Sequence, residues 1–176
     1  MKIFVAGARS IAAVDEFVQN KLSSICQKGF WILVGDCYGV DKAVQQFLAG
    51  QNYGGVTVYA SNGKARNNVG CWSVKNIPVD KTSKGFAFYR QKDIAMADDA
   101  DMGFMIWDGQ SRGTAENILT LAQQEKTVLV YTPNNQSVAI VHSLSEARKL
   151  VNNTSESCAH NDVVTSSYRT EQLSMI

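Results

Sequence analysis

The tetrad Ser111-Arg112-Gly113-Thr114 gathers two hydroxyls, a guanidinium and a glycine where the flanking pattern predicts the start of a helix. Placed there, backbone N–H groups, both hydroxyls and the positive end of the helix dipole face one anion, with Arg112 beside it and Gly113 letting the backbone come close. An ordinary N-cap followed by a turn glycine has the same composition, so the tetrad is either a phosphate site or a plain helix start. Gly7-Ala8-Arg9-Ser10 is a similar turn, in which Arg9 either clamps a phosphate bidentately or pairs with a surface carboxylate. Gly35-Asp36-Cys37-Tyr38-Gly39-Val40-Asp41 adds two carboxylates. Asp41 falls in the first turn of a helix, where negative charge is stabilising, which leaves Asp36 as the better candidate for holding sugar hydroxyls. Cys37 lies near a helix N-terminus, a place that activates thiols, but no base stands beside it in the sequence to make it a nucleophile.

An acidic band follows, formed by Asp93, Asp98, Asp99, Asp101, Asp108 and Glu116. Asp98, Asp99 and Asp101 fall between a helix and a strand at the amino-terminal edge and are expected to be solvated turn residues. Tyr89, Arg90 and Asp93 lie in a helix that enters from the opposite edge. There they either reach a nucleoside or leave Arg90 and Asp93 as an i, i+3 ion pair on an exposed face. Trp72 and Tyr89 either stack on a base or fill the core. Cys26, Cys37, Cys71 and Cys158 lack CxxC or metal-ligand spacing, with only His142 and His160 to assist them, so reduced thiols and no metal site are expected.

Alternating strands and helices must hold these turns. Lys2 to Ala6 is a short strand-like run, and Val14, Phe17, Val18, Leu22 and Ile25 recur at helical spacing up to Gly29. Trp31 to Val34 reads as a buried strand, Val40 to Leu48 as an amphipathic helix ending at Gly50, and Val56 to Tyr59 as a third strand. Residues 60–87, with scattered Asn, Gly and Pro, read as a long loop; around Lys64, Arg66 and Trp72 it is expected to be a lid or an oligomer contact. Then come a helix from Phe88 to Ala97, a strand from Gly103 to Trp107, a helix from Thr114 to about Gln124 and a strand from Thr127 to Tyr131. Ser137 to Val141 adds a last strand, and Leu144, Ala147, Leu150 and Val151 a closing helix. The pattern predicts an α/β, doubly wound, mostly parallel, Rossmann-like sheet in a single domain over 1–151, followed by a polar tail over 152–176 with a hydrophobic cluster at Leu173, Met175 and Ile176. In such a sheet the loops at the carboxyl ends of the strands converge on one crevice.

Composition narrows the function classes. The 176 residues are 45% apolar and 19% charged, as in an ordinary globular domain, and the net charge of +1 gives no electrostatic case for nucleic acid or an anionic membrane. Apolar runs are too short to cross a bilayer and the N-terminus passes directly into a strand, so a cytoplasmic protein is expected.

At these motifs the chain resembles the SLOG superfamily, the Rossmann-like group that includes the LOG proteins, DNA-processing protein A and the small YspA-like proteins. The match lies in the order of a first-strand Gly-x-Arg (Gly7, Arg9), a second-strand G-x-x-x-G-V-D (Gly35, Gly39, Asp41), an Arg-led helix (Arg90) and S-x-G-T (Ser111, Gly113, Thr114), over roughly residues 1–132. The resemblance implies a nucleotide-derived ligand at the carboxyl edge of the sheet and a homo-oligomer. A related resemblance is to nucleoside 2-deoxyribosyltransferases and nucleotide N-glycosidases, which supply a carboxylate to the anomeric carbon. This chain departs from them: Asn117 stands where the catalytic Glu is expected and Glu116 one residue early, a rotation of about 100° on a helix.

The expected function is therefore binding of a nucleotide or nucleoside-derived molecule, with Gly7, Arg9, Gly35, Asp36, Arg90, Ser111, Arg112, Gly113, Thr114 and Asn117 as ligand residues and no cofactor. The alternatives are an N-glycosidase or deoxyribosyltransferase using Asp93, Asp108 or Glu116, and an interaction protein with a vestigial pocket.

Overall fold

In β1 (Lys2–Gly7), Ile3 and Val5 point into one hydrophobic cluster while Phe4 and Ala6 point into another. A strand buried on both faces requires helices above and below the sheet. The structure, a computed structural model, describes residues 1–80 and 82–157. After β1 come α1 (Glu16–Gln27), β2 (Trp31–Gly35), α2 (Val40–Gly50), β3 (Val56–Ser61), β4 (Ser73–Ile77), α3 (Gly85–Asp99) and β5 (Met102–Ile106). The chain continues through α4 (Arg112–Gln123), β6 (Val128–Thr132), a 3-10 turn at Pro133–Asn135, β7 (Ser137–Val141) and α5 (Leu144–Ser157).

The seven strands lie in the order β4-β3-β2-β1-β5-β6-β7, and every pair is parallel except β6 with β7. This is the expected doubly wound, Rossmann-like α/β sheet. Val18, Leu22 and Ile25 of α1 and Val40, Val44 and Leu48 of α2 close one face. Met96 and Ala97 of α3, Ile118 and Leu121 of α4 and Ala147 of α5 close the other. From β1 the chain winds outward through β2, β3 and β4, then returns to add β5 on the other side of β1. That reversal leaves a crevice above the carboxyl ends of β1 and β5, where Gly7 is in register with Ile106.

The region 60–87 is not all loop, because it contains β4, parallel to β3. Ser73, Val74, Lys75 and Asn76 are all exposed on this edge strand, so it carries no buried apolar run to announce it. Helix α3 begins at Gly85 rather than Phe88, and α5 continues to Ser157 instead of ending at Val151. Residues 158–176 of the expected tail, including Cys158, His160, Leu173, Met175 and Ile176, lie outside the described residues. No helix among the described residues is long and apolar enough to cross a membrane.

Candidate functional site

A cleft of about 560 Å³ opens at the switch point, and the first turns of α3 and α4 and the end of β1 wall it. Gly7, at the end of β1, is required there by packing: a Cβ would come within 2.2 Å of the Ile106 carbonyl oxygen and 2.7 Å of Val40. The chain can then turn at Ala8, whose N–H donates to that same Ile106 oxygen at 3.1 Å, and deliver Arg9 to the cleft. Gly39, with φ of +78°, packs its Cα against the Arg9 backbone, where a Cβ would lie 2.5 Å from the Arg9 Cα.

On the opposite wall, Asp108 caps the turn leading into α4. Its Oδ1 accepts from the Gln110 and Ser111 amides at 3.0 and 2.7 Å, and its Oδ2 accepts from the Ser10 hydroxyl at 2.7 Å. Burial opposes its charge, but these hydrogen bonds outweigh it and hold the carboxyl below its ordinary range. With Asp108 serving the turn, the Ser111 side chain makes no capping bond to the helix and instead accepts from the Thr114 hydroxyl at 3.1 Å. The first-turn amides of α4 are thus left facing the cleft, beside Gly113, where a Cβ would meet nothing within 4 Å. Arg112, 76% exposed at its side chain, extends over the Phe86 ring at 4.5 Å.

Helix α3 supplies the floor. Lys92 shares a helical face with the buried Met96 and is itself only 3% exposed. Its Nζ donates to Asp93 Oδ1 at 2.7 Å, and it lies close enough to Asp41 that a Cβ on Gly35 would touch both the Asp41 Oδ2 and the Lys92 Nζ. Burial works against the ammonium, but the charges of Asp93 and Asp41 outweigh it and keep its pKa above the ordinary lysine value. Burial raises the Asp41 carboxyl to about 6 against the pull of Lys92. Asp41 also accepts from the Cys37 amide at 3.1 Å. It therefore anchors the floor as well as beginning α2. The Cys37 thiol is pushed up by burial, so nothing here activates it.

The sequence-predicted residues divide. Gly7, Arg9, Arg90, Asp93, Asp108, Ser111, Arg112, Gly113, Thr114 and Asn117 all line the cleft. Asp36 does not, because Arg66 takes both its oxygens: Nε bonds Oδ2 at 2.9 Å and Nη2 bonds Oδ1 at 2.6 Å. Gly35 lies beneath the floor. Glu116 faces the outer side of α4, in a separate cavity with Trp107, Leu119 and Val151, as its register predicts. Asn117 is the residue that turns inward, 4% exposed, its Oδ1 accepting from Arg90 Nη1 at 2.8 Å. Arg90 also donates to the Glu116 carbonyl at 3.2 Å and to the Thr120 hydroxyl, so it ties α3 to α4 rather than pairing with Asp93.

Tyr89 lines the cleft, with the Arg66 and Arg9 guanidinium carbons 4.6 and 5.5 Å from its ring centroid. Trp72 is elsewhere, its indole N–H donating to the Tyr53 carbonyl at 2.8 Å. The acids at the far edge are not idle turn residues: Asp99 accepts from Tyr59 and Lys75, Asp98 from Gln124, and Asp101 from the Lys2 amide. Lys92 was not singled out by sequence reasoning, and the signal for it is a lysine four residues before Met96 on the buried stripe of α3. Among the described residues no cluster of His, Cys, Asp and Glu is placed to hold a metal.

No family model matches the chain, and no curated protein matches it in sequence. Among solved structures it is similar to DNA processing protein A from Helicobacter pylori, a protein that binds single-stranded DNA, with a TM-score of 0.57 and 10% identity over 89% of this chain and 81% of that one. It is also similar to the structural-genomics target TM1055, with a TM-score of 0.50 and 19% identity over 86% of this chain and 98% of that one. At these identities the likeness is one of fold.

Proposed function

We propose that this chain binds a nucleotide or nucleoside-derived small molecule in the cleft between β1 and β5, with its anionic group on the first turn of α4. The observation that carries this reading is the convergence of Arg9, Arg112, the Ser111 and Thr114 hydroxyls and the first-turn amides of α4 on one cleft at the switch point. Tyr89 and Phe86 supply flat apolar surface at the same mouth. The order of motifs shared with the SLOG superfamily supports the same ligand class.

A thermal-shift screen over nucleoside mono-, di- and triphosphates, with the matching nucleosides and inorganic phosphate, tests it. Stabilisation by phosphorylated ligands above their nucleosides is the expected result. A single-stranded oligonucleotide belongs in the screen because DNA processing protein A binds such a strand, and a larger shift with the oligonucleotide than with any mononucleotide would replace the small-molecule reading.

A second reading, hydrolysis or exchange of an N-glycosidic bond, rests on Asp93. Of the acids nominated for catalysis, it alone combines a place in the cleft with a carboxylate oxygen that has no hydrogen-bond partner among the described residues. Chromatography of each hit for free base separates the two readings.

A further inference from the structure

Two polar side chains of the cleft are each held by one atom and open at the other. Asn117 Oδ1 accepts from Arg90 Nη1, and because a guanidinium only donates, the amide cannot be flipped without losing that bond. Its Nδ2 therefore faces the cleft as a fixed donor, with no hydrogen-bond partner among the described residues, on a side chain almost wholly withdrawn from bulk water. Asp93 is arranged in the complementary sense. Lys92 Nζ occupies its Oδ1, which leaves Oδ2, without a hydrogen-bond partner among the described residues, as the acceptor that this cleft-lining side chain offers. Both orienting cations come from α3, two residues apart, and both are anchored: Arg90 on α4, and Lys92 between Asp93 and Asp41.

Building on the nucleotide-binding reading above, we propose that Asn117 and Asp93 together read the vicinal hydroxyls of a ribose, so that the cleft selects ribonucleotides over 2′-deoxyribonucleotides. A hydroxyl both donates and accepts, so neighbouring hydroxyls satisfy a fixed acceptor and a fixed donor at once. Position along α4 favours the sugar over the base. Asn117 lies four residues, about 6 Å of helix rise, beyond Gly113 in the anion-facing first turn. That is the reach of the sugar esterified to a bound phosphate, whereas the base lies beyond it. Loss of a hydroxyl takes the ligand partner from Asp93 Oδ2 or Asn117 Nδ2 in a cleft where Asn117 is 4% and the Asp93 side chain 17% exposed, and such losses give discrimination on the order of tenfold to a hundredfold.

Calorimetric titration of the wild-type protein with matched pairs of ribonucleoside and 2′-deoxyribonucleoside 5′-monophosphates reads this directly. The expected result is at least about tenfold tighter binding of the ribo member. In Asn117→Asp, which keeps an oxygen for Arg90 but replaces the donor with an acceptor, the ribo preference should shrink while the unliganded melting temperature stays near that of the wild type. Asp93→Asn should shrink it as well. Equal affinity for both members in the wild type overturns the ribose assignment and leaves the nucleotide-binding reading standing. A preference that survives both substitutions overturns it too, because the hydroxyls are then read elsewhere. If neither member binds, the binding reading itself fails.

Discussion

Arg66 grips Asp36 through three nitrogens: its own backbone amide and Nε both reach Oδ2, at 3.1 and 2.9 Å, and Nη2 reaches Oδ1 at 2.6 Å. The Asp36 side chain is 4% exposed and that of Arg66 32%. This clasp fastens the segment after β3 to the turn after β2, and Asn67 reinforces it by donating to the Asp36 carbonyl at 2.8 Å. Arg66 also carries its guanidinium over Tyr89, so the clasp braces the cleft from behind.

Removing Arg66 leaves a buried carboxylate without its cation, so Arg66→Met is expected to destabilise the fold by about 3 kcal/mol, the low end for a broken buried pair because Arg66 is partly exposed. Burial opposes the Asp36 charge, but Arg66 outweighs it and lowers its pKa. A lowered carboxyl stabilises the fold above its unfolded pKa of about 4, and that contribution is lost as the pH falls through the folded value. Urea denaturation should accordingly show the gap between wild type and Asp36→Asn present at neutral pH and narrowing below about pH 4. A gap independent of pH would mean that the ion pair contributes nothing.

Gly7 and Gly113 make opposite predictions although both line the cleft. A Cβ at Gly7 collides with backbone of the neighbouring strand, which cannot swing aside, so Gly7→Ala should cost about 3 kcal/mol or more. Gly113 lies inside α4 with open space before it, so Gly113→Ala should stabilise the protein by about 0.5–1 kcal/mol. The added methyl intrudes where the anion is held, and phosphorylated ligands should bind more weakly to the more stable protein. Thermal melts with and without ligand check both halves.

The two halves of the sheet differ in how far they were legible in sequence. Buried strands such as Trp31–Gly35 and helices such as α1 carry strong apolar periodicity, because one fold constraint, burial, sets their residue types. Edge strand β4 escapes that constraint and is silent. Helix α3 is only partly legible for another reason: its first half walls the cleft, so Tyr89, Arg90, Lys92 and Asp93 are set by the site rather than by the core. In the site, the turns at Gly7-Arg9 and Ser111-Thr114 were readable because local backbone geometry dictates them. The pairing of Asp36 with Arg66, thirty residues apart, follows from the path of the segment before β4, which no local pattern encodes.

Arg9 and Arg112 are expected to act on the charge of the ligand. Arg9→Ala and Arg112→Ala should each weaken a nucleoside monophosphate by about 1.5–3 kcal/mol while leaving the matching nucleoside nearly unaffected. Arg112, 76% exposed at its side chain, should lose part of its contribution as salt is raised. Equal losses for phosphorylated and unphosphorylated ligands would remove the anion from this end of the cleft.

The chemistry of the bound molecule gives the last test. N-glycosidic cleavage needs a carboxylate at the anomeric carbon, but both Asp108 oxygens are taken, one by two amides of the α4 turn and the other by the Ser10 hydroxyl, and Glu116 faces another cavity. Asn117, in the inward register, offers an amide that serves neither as nucleophile nor as general base. Asp93 keeps one oxygen with no hydrogen-bond partner among the described residues, which the ribose assignment gives to a sugar hydroxyl rather than to the anomeric carbon. The expected outcome is therefore that ligands stabilising the protein are recovered intact after prolonged incubation, and that Asn117→Glu alters affinity without releasing base. If wild-type protein does release base, Asp93→Asn decides the matter. A fall of several orders of magnitude in rate with ligand-induced stabilisation retained would identify Asp93 as the carboxylate of the transition state and replace the binding reading with a catalytic one.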